Sequence, residues 1–258
     1  MTTSLIVGCG YVGRTLARKL VERDQQVYAV TRTGVSIDGV ESVEHDVTER
    51  GLDLPDADRM FYLVSPDERS VEAYREAYVD GLKNTIAAMR PDRSAIVYAS
   101  STGVYEREDG SWVDETTPID PTEGRTEILL EAERIANSAG GTVVRFGGLY
   151  GPGRTGKERY LDDARVPGGY LNLIHRDDAA SALLSASNGE YDRYISVDDE
   201  PVHRHELAHW LAEYLSRPVG ELVETVDRSN KRCSNARLRS EGWQPAFPTF
   251  REGYRHAL

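Results

Sequence analysis

The apolar run Leu5-Ile6-Val7 breaks directly into Gly8-Cys9-Gly10-Tyr11-Val12-Gly13, and few folds place three glycines at that spacing right behind a buried strand. The first glycine allows a tight turn. The second lets backbone N–H groups approach a pyrophosphate, and the third lets the next helix pack closely on the sheet. That helix is legible in the residues that follow. Val12, Leu16 and Leu20 recur every four positions, Ala17 and Val21 widen the stripe, and Arg14, Arg18, Lys19 and Glu22 fall on the other side. Its N-terminus turns unpaired N–H groups and a partial positive charge toward a phosphate. The pattern predicts a strand–turn–helix unit that binds a dinucleotide, with Gly8, Gly10, Tyr11, Val12 and Gly13 at the phosphates.

Further strands are expected at Gln26–Arg32, Val43–Val47, Arg59–Pro66, Ser94–Ser100 and Gly140–Phe146. Between them, Val71, Tyr74, Tyr78, Leu82, Ile86 and Met89 trace a long helix ending before Pro91, and a second helix spans Arg125 to Ser138. Strands alternating with helices imply parallel βαβ units with right-handed crossovers. The expected fold is therefore α/β, a Rossmann-type doubly wound parallel sheet with a small C-terminal α/β lobe on the substrate side. Residues 1–146 form the dinucleotide-binding core. Residues 147–258 complete that core and supply the lobe, with 147–175 as a mobile or substrate-facing stretch. Helices are expected near Asp177–Ser187, His203–Leu215 and Phe250–His256, and strands near Tyr194–Val197 and Leu222–Val226.

Composition removes several classes of function. A formal net charge of −12 argues against nucleic acid, since most of the surface would repel a polyanion. No apolar stretch reaches bilayer-spanning length and no signal-peptide pattern is present, so the expected location is the cytoplasm, with no membrane partner. Cys9 and Cys233 do not make a disulfide framework. Lysine occurs only at positions 19, 83, 157 and 231, against 27 arginines and 43 acidic residues, a balance that resembles proteins of salt-loving microbes.

The end of the second strand should lie beside the adenosine ribose. It carries Thr31 and Arg32 where an NAD enzyme usually has a carboxylate, and an arginine suits a 2′-phosphate, so NADP is favoured over NAD. Asp46 is placed to meet the adenine amine. Val64 and Ser65 end the fourth strand and Ser100 the fifth, so all three join the expected cofactor contacts at the carboxyl edge of the sheet. His205 and His209 have the one-turn spacing of a metal pair, but no third ligand or HExxH pattern accompanies them, so no metal is expected.

Six segments in order carry a resemblance that runs nearly end to end: Gly8–Gly13, Asp80–Thr85, Ser100–Tyr105, Arg145–Arg154, Ile174–Asp178 and Val197–Val202. Together they resemble the NAD-dependent epimerase/dehydratase family, the extended branch of the short-chain dehydrogenases/reductases. The resemblance implies that Ser101, four residues before Tyr105, binds the reacting oxygen. It also implies a homodimer paired through the helices at Val71–Met89 and Arg125–Ser138.

The family's base is a tyrosine followed four residues later by a lysine that lowers its pKa. No tyrosine here has a lysine at that distance. Registering on Pro121 puts Arg125 in the tyrosine slot, Leu129 in the lysine slot and Glu133 where the family commonly has a glutamate. A guanidinium keeps its proton and leucine has none to share. The chain thus looks like an atypical member, with Arg125 available to clamp an anionic substrate and proton transfer left to Tyr105, water or the substrate. Two readings follow. One is an NADP-preferring oxidoreductase or epimerase on a small or sugar-like substrate, with Ser101, Tyr105 and Arg125 as catalytic candidates. The other is a non-catalytic NADP(H)-binding sensor or scaffold.

Overall fold

The computed structural model describes residues 2–89, 95–119, 124–226 and 230–258. Seven strands make its central sheet: β1 (Thr3–Val7), β2 (Gln26–Thr31), β3 (Val40–Glu44), β4 (Arg59–Tyr62), β5 (Ala95–Ser101), β6 (Thr142–Phe146) and β7 (Arg193–Ser196). Their order is β7-β6-β5-β4-β1-β2-β3, and every pair is parallel. Strand order reverses at β1, which pairs with β2 on one side and β4 on the other. A doubly wound sheet opens a crevice at the carboxyl end of such a strand. The glycine turn sits there.

Helices cover both faces: α1 (Tyr11–Val21), a composite α2 in three consecutive parts (Val71–Arg75, Glu76–Asp80 and Gly81–Ala88), α3 (Arg125–Ser138) and α4 (Arg176–Ala186). The period-two alternation of the strands feeds two cores. Ile6, Ala29, Phe61, Val97 and Val144 pack with α1 and α4, whereas Leu5, Val7, Met60, Tyr62 and Val143 pack with α2 and α3. Leu16 and Leu20 of the α1 stripe are wholly buried, each stabilising the fold by roughly 1.5–3 kcal/mol. The sheet therefore holds the glycine turn on a rigid base.

The middle of α2 is a wide turn with an identifiable cause. Tyr62, at the end of β4, donates its hydroxyl to Ala77 O at 2.6 Å, the carbonyl an ordinary helix would offer to Gly81 N–H. Gly81 reaches Glu76 O instead, one residue further back. A Cβ at Gly81 would lie 2.5 Å from the Tyr62 hydroxyl, so glycine is needed where the tyrosine enters.

The sequence reading and the structure part at two places. β3 begins at Val40, three residues before the expected start, because Val40–Glu44 are the residues that pair with Val27–Thr31; Asp46 follows it in a turn. Within 147–175, expected as a mobile or substrate-facing stretch with no strand assigned to it, Gly148–Tyr150 pairs with Leu173–His175, Arg165–Gly168 with Glu221–Val226, and Tyr170–Leu171 with Val202–His203. These short pairs and the helices Arg204–Leu215 and Phe250–Ala257 enclose a separate core of Tyr150, Leu161, Leu173, Leu207, Leu211 and Tyr254. Pro91, Ser94 and Pro121 lie outside the described residues. Among the described residues no helix is long and apolar enough to cross a membrane.

Candidate active site

A cleft of about 930 Å³ opens at the carboxyl ends of β1, β2 and β4, within the size range of cofactor pockets. Of the residues expected at a cofactor, it brings together Gly8, Gly10, Thr31, Arg32, Asp46, Val64 and Ser65. The three glycines are small for different reasons. A Cβ on Gly8 would sit 2.6 Å from Val64 N, and one on Gly13 would sit 2.8 Å from Gly8 O, so both positions are closed by the chain's own packing. A Cβ on Gly10 would meet nothing within 4 Å. No atom of the protein crowds that position, which leaves room for a group from outside to approach the backbone, as a pyrophosphate does.

The end of the cleft beyond β2 and β3 is lined by charge. Asp46 follows β3, and its Oδ1 accepts from Thr48 N–H at 2.9 Å and from the Thr48 hydroxyl at 2.7 Å; those bonds hold its carboxyl below the usual range. Arg32 donates from both terminal nitrogens to Asp67, at 2.6 and 2.9 Å. Asp67 was not among the residues the sequence singled out, and nothing local marks it, since it stands 35 positions from its partner. Tyr11, Val12 and Gly13 do other work. Tyr11 donates to Pro152 O at 3.2 Å, with Arg154 and Arg176 against its ring, and Val12 is buried in the core.

Beside the cleft, β5 delivers two serines with different fates. Ser101 is half-buried, and its Oγ accepts from Gly103 N–H at 3.0 Å, which leaves its own O–H to donate. The Ser100 hydroxyl, expected at the cofactor, is engaged elsewhere: it donates to Glu133 Oε1 at 2.7 Å. Glu133 and Arg145 form a bidentate pair, each only 2% exposed, with Nε to Oε1 at 2.8 Å. Arg145 also donates to the Tyr105 hydroxyl at 2.6 Å, and Tyr105 donates to Asp114 O at 2.7 Å.

This network corrects the expectation that Tyr105 transfers a proton. Its ring is buried, its hydroxyl is saturated, and burial pushes its pKa up to about 12 despite the nearby guanidinium. Arg125, expected as an anion clamp, opens α3 as an exposed residue with its guanidinium 5.5 Å from the Tyr74 ring centroid. Leu129 is buried beside Tyr105 and Val104. A second cavity, of about 470 Å³, touches Glu115, Glu133, Arg145 and Arg193 but no residue of the glycine turn.

Two of the late histidines are tied to backbone groups. His203 accepts from Gly169 N–H at 3.0 Å, and His205 Nε2 lies 3.2 Å from Val166 O. His175, Asp177 and His256 are close enough together to hold an ion. However, His175 Nδ1 accepts from Asp177 N–H at 3.2 Å, so Nε2 carries the proton and faces His256 Nδ1 at 3.4 Å. A ligating histidine donates through its second nitrogen, and this one accepts. Asp178 ties down the C-terminal segment by accepting from Ala246 and Phe247 N–H.

Comparison with known proteins places this geometry. The sequence profile described as "NAD dependent epimerase/dehydratase family" matches residues 4–199. A solved protein from Methylobacillus flagellatus, designated an NAD-dependent epimerase/dehydratase, is 30% identical with a TM-score of 0.81, over 99% of this chain and 97% of its own. The UDP-glucose 4-epimerase of Thermus thermophilus, solved in complex with NAD, shares the fold at 20% identity and a TM-score of 0.79, over 99% and 97% of the two chains. Among curated proteins, a 3-diazoavenalumate denitrifying reductase of Streptomyces sp is 29% identical over 212 residues, 67% of this chain and 68% of that one.

Proposed function

The chain belongs to the NAD-dependent epimerase/dehydratase family, and from that premise we propose that it is an NADP-preferring oxidoreductase acting on a small or sugar-like substrate. The observation that carries the reading is Gly10, a glycine with open space at its Cβ position in the middle of the switch-point cleft. In this reading the amides of the glycine turn and the N-terminus of α1 hold the pyrophosphate. Arg32 pairs with the 2′-phosphate and Asp46 accepts from the adenine amine. The nicotinamide, when bound, supplies the hydride.

Ser101 acts at the substrate. With one lone pair held by Gly103 N–H, its hydroxyl donates to the reacting oxygen and steadies the charge that grows there. The tyrosine–lysine pair is missing and Tyr105 is locked away, so no phenol stands ready to remove a proton from an alcohol. Reduction of a carbonyl needs only a hydrogen-bond donor and a proton from water. Epimerisation needs a hydroxyl proton removed and then returned, a heavier demand on the same residues. The Streptomyces relative, a reductase by name, favours the same choice.

The reading extends to a cytoplasmic homodimer paired through α2 and α3, with a surface suited to high salt. Val71, 47% exposed at the start of α2, is apolar area that such pairing would cover.

Ser101→Ala tests the chemistry: NADPH binding should persist while turnover of a carbonyl substrate, found by screening for NADPH consumption, falls about 100-fold. Unchanged turnover would remove Ser101 from the mechanism. The engagement of both Ser100 and Tyr105 in a buried network favours one competitor, a dinucleotide-binding sensor. That reading takes over if the wild-type chain binds NADPH and no member of a broad carbonyl panel consumes it.

A further inference from the structure

Arg32 extends from the end of β2, and Asp67 stands in the segment after β4. These strands flank β1 on opposite sides, so their ion pair reaches across the end of β1, over the mouth of the glycine turn. Both residues line the cleft. We infer that Asp67 is a specificity-determining residue: its carboxylate competes with the 2′-phosphate of NADP for the same two guanidinium N–H groups. The inference rests on the dinucleotide reading of the cleft given above.

The geometry of the pair supports this. Arg32 presents its planar fork to both carboxylate oxygens, at 2.6 and 2.9 Å, the arrangement with which a guanidinium also grips a phosphate. One face of one arginine cannot serve both anions at that geometry. The side chains are 58% and 65% exposed, so the pair is screened by solvent and readily exchanged. A phosphate brings more charge and a third oxygen, and displaces the carboxylate. NADH makes no claim on the arginine and leaves the pair closed. Asp67 thus acts against NADPH alone, and the preference that Arg32 confers is smaller than an unopposed arginine would give.

Calorimetric titration of the full chain with NADPH and with NADH tests the inference. Asp67→Asn should shift the affinity ratio toward NADPH by about two- to fivefold, the range expected when an exposed ion-pair competitor is removed. Arg32→Ala should bring NADPH down to the affinity of NADH. Asp162→Asn removes an equal charge from a surface pair with Arg217 in the small lobe and should leave the ratio where it was. An unmoved ratio in Asp67→Asn, or a shift toward NADH, overturns the inference while leaving the cleft a dinucleotide site. A wild-type chain that binds neither dinucleotide overturns both.

Discussion

Replacing Glu133 by alanine removes three hydrogen bonds from a nearly buried network. Its carboxylate accepts from Ser100 Oγ and from Arg145 Nε and Nη2, and both ion-pair partners are 2% exposed. Arg145 would keep only the Tyr105 hydroxyl as a close acceptor, with Asp114 O on its far side. Breaking a buried pair from one side costs about 3–5 kcal/mol, because the other charge is left without compensation. Domains are stable by about 5–15 kcal/mol, so the loss is a large share of the whole. With a urea dependence of about 2–3 kcal/mol per molar, the unfolding midpoint should drop by roughly 1–2.5 M. The double variant Glu133→Leu with Arg145→Met should recover much of that loss, since the buried guanidinium leaves with its partner, the remaining Arg193 beside it is partly exposed, and apolar replacements fill similar volume. A midpoint shift below about 0.3 M for Glu133→Ala, or strictly additive losses in the pair, would refute the view that this network is held by mutual compensation.

Two further outcomes follow from the geometry. Gly10→Val should lose NADPH binding with a smaller loss of stability than Gly13→Val, which is forced against Gly8 O and should lose about 1–3 kcal/mol; calorimetry and urea melts on both variants check the contrast. Burial pulls the His175 pKa down to about 4, while an unfolded imidazole takes up its proton near pH 6.5. The unfolded chain therefore binds more protons in that window, so this contribution is complete above pH 6.5 and is lost as the pH falls toward 4, by about 3 kcal/mol. His175→Asn, which keeps a capping acceptor for Asp177 N–H, should show a flatter decline of the urea midpoint between pH 7 and pH 4.5; parallel declines would exclude His175 as the source.

What could be read from the residues was whatever is local and periodic. The strand–turn–helix at Leu5–Val21 announces itself through glycine spacing and a four-residue stripe, and α3 was bounded at Arg125 and Ser138. The alternation of strands and helices announces the parallel sheet, while its strand order comes from the coordinates. The short strands between Gly148 and His175 escaped because each pairs with a distant partner and is too brief for a period to show. Long-range polar choices were equally hidden. Whether Ser100 or Ser101 faces a ligand depends on Glu133, 33 positions away, and Arg32 carries no sign of Asp67. The glutamate at 133 was noticed by register with a family pattern, but its role as the anchor of Arg145 needed coordinates.

The tyrosine that enters α2 has a reach beyond its own contact. An extra residue in one turn shifts the phase of everything after it by about 100° around the helix axis. With that shift, the Asn84 amide donates to Val47 O at 3.0 Å and to Thr48 O at 3.2 Å, pinning the bend that presents Asp46. Regularise the helix and Asn84 swings off its two carbonyls. The shape of this end of the cleft is therefore set from a neighbouring strand, through a gear with one added tooth, and a deletion in Glu76–Asp80 would be felt first in the bend that carries Asp46.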